Sequence, residues 1–151
     1  MKNKIFKIII LIIGLSFNLF IFSQSMLSDN TSGGFSLKIV NIINNILRTI
    51  NINIDLDLLH LIVRKLAHFT EFFILGFIWF FIYKNYFKLN KTFILTLIHG
   101  AITALLDEGI QLFVDGRGAS LFDSTIDFTG VFTITLILFL SFKRKEHLDD
   151  L

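Results

Sequence analysis

Lys65, His68 and Glu71 follow one another at intervals of three residues. Asp107 and Glu108 precede Gln111 by four and three residues, and Asp123 precedes Asp127 by four. Each set shares one side of a helix if its segment is helical. The residue types are those of proton transfer and ion binding. His68, with Glu71 one turn on, can carry a proton, and Asp107 and Glu108 join them as candidate acid/base groups. Lys65, Gln111, Arg117, Asp123 and Asp127 are candidate ligand-binding groups, with Lys65 or Arg117 suited to holding a phosphate. Such a cluster can take a divalent cation through oxygen, but no spacing here requires one, so metal and cofactor are left unassigned. There is no phosphate loop, no GxSxG and no HExxH,.

These groups sit in a chain that is otherwise apolar. Its 151 residues suit one domain, 54% are hydrophobic, only 17% are charged, and Phe alone supplies 19. The mean hydropathy is +0.73. A soluble domain rarely reaches such values, so an integral membrane protein is expected. There is no Cys and no Pro. Disulfides, thiolate chemistry and Cys-ligated zinc are thereby excluded, as are proline kinks.

A transmembrane helix needs about 20 mostly apolar residues. Four segments qualify, at about residues 5–22, 66–83, 92–113 and 121–142. The first follows Lys2, Lys4 and Lys7 as a signal peptide would, but its apolar stretch exceeds the usual 7–15 residues, so an uncleaved span is expected,. The expected fold class is all-α: a polytopic membrane protein whose four transmembrane helices form one small bundle over residues 1–151.

Basic residues set the orientation. Lys2, Lys4 and Lys7, then Lys84, Lys88 and Lys91, then Lys143, Arg144 and Lys145 place nine of the 14 on one side of the membrane. Both termini are therefore expected in the cytoplasm, with the loop over 24–64 and the link over 114–120 outside. Within the loop, Ile39, Ile43, Ile46 and Ile50 oppose Lys38, Asn41, Asn45 and Arg48, the pattern of an amphipathic helix,. The SDNTSGG stretch before it reads as a flexible turn. NINIDLDL after it alternates with period two, with Asp57 placed to cap the second span.

Measured from these span ends, Glu71, Asp107 and Asp127 all lie roughly 9 Å inside the outer boundary. Charges facing lipid cost at least a few kcal/mol each, so matched depth implies a shared polar cavity open to the outside. A structural ion-pair network is the alternative. Its charges balance poorly: Lys65 and Arg117 face Glu71, Asp107, Glu108, Asp123 and Asp127, a surplus of three acids with His68 neutral. Protonated acids, a bound cation or a cationic ligand would restore the balance. Asn18 is expected to hydrogen-bond between helices, His99 to pack or hydrogen-bond, and His60 to extend the stripe of Arg64 and His68.

RKLAHFTEFFILG (64–76), DEGIQLFVDGRGASLFDSTIDFTG (107–130) and FSQS (22–25) together resemble the VanZ-like family over nearly the whole chain. The resemblance implies a small multi-span membrane protein. The family's founding member is tied to teicoplanin resistance. The matched polar residues are Lys65, His68, Glu71, Asp107, Glu108, Gln111, Arg117, Asp123 and Asp127. Asp115 stands where many relatives have Pro, and Asp127 where many have Asn, which makes this cavity the more negative.

Three functions fit. The first is a cell-envelope protein that influences sensitivity to glycopeptide and lipoglycopeptide antibiotics such as teicoplanin, by binding a lipid-linked cell-wall precursor or the lipoglycopeptide itself. The second is a membrane enzyme acting on a lipid head group. The third is a cation- or proton-binding transporter-like protein, which with four spans would need to be an oligomer. The lipid bilayer is the expected surrounding in every case, in a bacterial plasma membrane, and no nucleic-acid partner is expected.

Overall fold

The computed structural model describes residues 2–27, 29–115 and 118–149. Five helices follow one another: α1 (Lys2–Ser25), α2 (Asp29–Thr49), α3 (Leu56–Lys84), α4 (Leu89–Gln111) and α5 (Leu121–Asp149). Among the described residues there is no strand. All but α2 are long and apolar enough to cross a membrane. The chain is thus an all-α, multi-pass membrane protein. Its outward surface suits lipid: Ile5, Phe6, Ile9, Ile12 and Leu19 of α1 and Ile94, Ile98, Ile102 and Leu105 of α4 are exposed. Hydroxyls on that surface are satisfied within their own helix. Thr125 and Thr129 of α5 donate to the carbonyls of Leu121 and Thr125 at 2.9 and 2.7 Å, so neither faces lipid with an unpaired donor,.

Helix α5 packs across α3 and α4, and α1 lies against the same two helices. Small residues let the backbones approach. Val131 of α5 is fully buried, wedged between Gly76 of α3 and Gly100 of α4. A Cβ on Gly130 would collide with the backbone oxygen of Phe69 and come within 3.0 Å of the Phe73 nitrogen. The core around this crossing contains Phe72, Leu75, Trp79, Ile82, Ala104 and Val131, with Ile21 from α1.

A polar clasp ties α1 in. The Trp79 indole donates to Asn18 Oδ1 at 2.7 Å, and Asn18 Nδ2 donates to Thr103 Oγ1 at 3.3 Å. His99 stacks on Trp79 with centroids 3.8 Å apart, and one of its ring nitrogens lies 3.3 Å from Asn18 Oδ1. Asn18 therefore bridges three helices, as its type predicts in an apolar span, and His99 has the packing role expected of it.

The loop between α1 and α3 departs from expectation in three respects. Residues 29–34 are helical rather than a turn, because α2 begins at Asp29. The buried face of α2 carries Val40 and Asn44, while Ile46 and Ile50 are exposed. Packing on α3 selects that face, which a count of Ile residues does not reveal. Finally, Asp55 rather than Asp57 caps α3, accepting from the backbone nitrogens of Asp57 and Leu58 at 2.7 and 3.2 Å. The end of α2 is closed by Asn51 in the left-handed conformation (φ 59°), with the Ile52 amide reaching back to the Leu47 carbonyl at 2.9 Å,.

Helix α3 thus starts ten residues before the apolar segment, so Glu71 lies about 22 Å along it at 1.5 Å per residue,. Its distance from the helix end is no measure of its depth. The bundle should be sensitive to the α3–α5 crossing. Gly130→Val should lose about 1–3 kcal/mol or fail to accumulate. Gly109→Ala, where an added Cβ meets nothing within 4 Å, should be neutral or up to about 1 kcal/mol stabilising,. Thermal unfolding in detergent measures both.

Candidate functional site

Four helices bring polar side chains to one end of the bundle. Helix α3 carries Lys65 and His68, α4 carries Asp107, Glu108 and Gln111, α5 carries Asp123 and Asp127, and α1 ends in Ser25. The period of the helix puts each set on the inner side, and the close α3–α5 crossing brings the sets together.

Several of these groups meet a partner on another helix or link. Lys65 Nζ lies 2.5 Å from Asp123 Oδ1, joining α3 to α5. This pair is about one-third exposed, so it contributes at most about 1 kcal/mol,. His68 Nδ1 lies 3.5 Å from Asp127 Oδ1. Glu108 Oε2 accepts from the Ser120 backbone nitrogen at 2.6 Å, holding the entry to α5 from α4. Asp107 is fully buried, accepts from Ser25 Oγ of α1, and accepts from Gln111 Nε2 within its own helix at 2.9 Å. Asp127 is also fully buried, and neither of its oxygens has a hydrogen bond.

A cavity of about 150 Å³ opens among these residues. Lys65, His68, Glu108, Gln111, Asp123 and Asp127 line it, with Leu61 and Ile126 supplying apolar wall. Arg64 adds a second fixed positive charge to the rim, beside Lys65. The cavity can therefore take a small polar group carrying either charge, and it has room for water beside the acids.

Of the residues singled out by spacing, Lys65, His68, Glu108, Gln111, Asp123 and Asp127 share this cavity. Asp107 comes within reach of His68 and Asp127 from behind. Glu71 is half-buried one turn further along α3 and is not on the cavity wall. Arg117 lies outside the described residues. Two contributors escaped spacing arguments. Ser25 is one turn past the apolar part of α1 and reaches Asp107 only through the tertiary fold; its place in the FSQS segment was the available signal. Ser120 contributes through its backbone, which no side-chain pattern reveals. His60, expected to extend the stripe, is partly buried, and its Nε2 has no hydrogen-bond partner.

The profile of one protein family, described as VanZ/LLP1, matches residues 6–142, which runs from the first turns of α1 nearly to the end of α5. No curated protein and no solved structure matches the chain.

The Glu108–Ser120 contact gives a direct test of how the site is held. Glu108→Ala leaves a backbone donor at the entry to α5 without its acceptor and should cost about 1–3 kcal/mol. Glu108→Gln keeps an acceptor oxygen and should cost less than half as much. The comparison is read as the difference in unfolding midpoint between the two purified variants.

Proposed function

The chain belongs to the VanZ/LLP1 family, and from that premise we propose that it acts as one membrane domain of the bacterial cell envelope, with an outward-facing polar site that influences sensitivity to glycopeptide and lipoglycopeptide antibiotics such as teicoplanin. The observation that carries this reading is the cavity walled by charged residues of α3, α4 and α5. It sits at the end of the bundle opposite the basic clusters. Those clusters meet one another: Lys7 donates to the Asn85 carbonyl at 2.9 Å, and Lys84 lies 3.9 Å from Glu146. By the positive-inside rule that basic end faces the cytoplasm, which directs the cavity and Ser25 outward.

An outward cavity in a lipid-embedded bundle is placed to meet lipid-anchored molecules. Lys65 and Arg64 on the rim suit the phosphate of a lipid-linked cell-wall precursor, and the exposed apolar helix faces suit an acyl chain,. Lipoglycopeptides act on such precursors outside the membrane and carry an acyl chain of their own. Binding either one at this site would change how much drug reaches its target. A second reading, a membrane enzyme acting on a lipid head group, is favoured by the His68–Asp127 pair on the cavity wall, which has the form of an acid/base group and its orienting partner,.

Expressed in a Gram-positive host lacking the gene, the wild type should raise resistance to teicoplanin several-fold, and to vancomycin less. Glu108→Gln at matched protein level should lose most of that protection. No protection by the wild type would overturn the antibiotic reading. Full protection by both Glu108→Gln and His68→Ala would overturn the enzymatic one.

A further inference from the structure

Asp107 and Asp127 come from different helices, and each is fully buried. A ligand atom from each, together with a ring nitrogen of His68, lies within 4.8 Å of the others. Two desolvated carboxylates held this close are costly unless something positive sits between them. Asp107 is held by Ser25 and Gln111. Asp127 receives no hydrogen bond at either oxygen, and His68 Nδ1 lies 3.5 Å from its Oδ1. Lys65, on the cavity wall, is engaged by Asp123.

We propose that His68, Asp107 and Asp127 form a binding site for one divalent transition-metal ion, of the zinc or manganese class. Three ligands converge from α3, α4 and α5, and among the described residues this is the one such group of His and acidic side chains. An imidazole with two carboxylates suits zinc, manganese or iron, whereas magnesium and calcium favour all-oxygen sites. Three protein ligands leave zinc a fourth position, the arrangement of sites that bind water or a substrate oxygen. His68 and Asp127 both lie on the cavity wall, so that position faces the cavity, near Lys65.

The contacts around Asp107 fit the same role: Ser25 and Gln111 orient its carboxylate. Metal-binding carboxylates are commonly oriented by such hydrogen bonds. Ser25 and Gln111 are then positioning residues. This gives a use to the serine at the end of α1, which otherwise makes a long-range contact with no chemical consequence. Closing the three donors around an ion needs only small side-chain rotations, because the zinc-to-ligand distance of about 2 Å sets neighbouring ligands roughly 3.3 Å apart.

The site is independent of the side of the membrane it faces and of any antibiotic phenotype. The test uses the full chain, purified in detergent, freed of its affinity tag and stripped with a chelator. Zinc is titrated calorimetrically, and retained metal is counted by mass spectrometry after gel filtration. The expected result is one zinc ion per chain, partial competition by manganese, none by magnesium, and a raised unfolding midpoint with zinc present. Asp127→Asn and His68→Ala should abolish stoichiometric binding. Ser25→Ala should weaken it by about 10–100-fold. His147→Ala, on the exposed end of α5, should leave it unchanged.

A wild type that retains no zinc, with an unmoved unfolding midpoint, would overturn the site and leave the two acids sharing a proton instead. Binding undiminished in Asp127→Asn and His68→Ala would also overturn it, as an adventitious ion only. If those two variants fail to fold, the wild-type stoichiometry and midpoint shift still decide. A failed antibiotic assay leaves this inference standing, and a metal-free protein leaves the antibiotic reading standing.

Discussion

Lipid offers no partner to a charged side chain, and that constraint organises this molecule. A carboxylate on α4 or α5 must find its compensation inside the bundle, since hydrocarbon supplies none. Lys65 and Asp123, His68 and Asp127, and Ser25 and Asp107 each join different helices. Each contact fixes a relative rotation of its two helices, because turning either one would bring an acid round to lipid. The polar site and the architecture are thus aspects of one arrangement. Outward-facing hydroxyls, which can bond back to their own helix, place no such demand on their neighbours.

Close helix approach makes the arrangement attainable. Gly130 meets the backbone of α3 where a methyl group would not fit, and Val131 fills the space left by Gly76 and Gly100. A wider crossing would separate His68 from Asp127 and open the cavity between them. At the middle of the bundle, Asn18 draws α1 toward α3 and α4 through Trp79 and Thr103, which in turn brings Ser25 to Asp107. Packing and polar contacts therefore support each other along the whole length of α1.

The four spans and their polar residues were legible in the sequence, because apolar length and three-residue spacing are properties of single helices. The VanZ-like pattern pointed to the same residues, and the family match covers them. What depended on contact between helices was not legible. The extension of α3 back to Leu56 carries no long apolar run, and it is stabilised by the Asp55 cap and by α2. Two acids two residues apart, Asp55 and Asp57, are equally plausible caps until the backbone shows which one precedes the helix. The buried face of α2 was hidden for the same reason: Ile lies on several of its sides, and only the position of α3 selects Val40 and Asn44.

The proposed function depends on the polar cavity opening to the outside, opposite the basic end. The chain has no cysteine, so single cysteines report their own position without background. Ala119, in the exposed link beside the cavity, and Asn90, exposed at the start of α4 among the basic residues, are suitable sites. In intact cells a membrane-impermeant maleimide should label Ala119→Cys, and should label Asn90→Cys only after permeabilisation. Labelling of Asn90→Cys but not Ala119→Cys in intact cells would contradict the account, because the site would then face the cytoplasm, away from the molecules proposed to bind it.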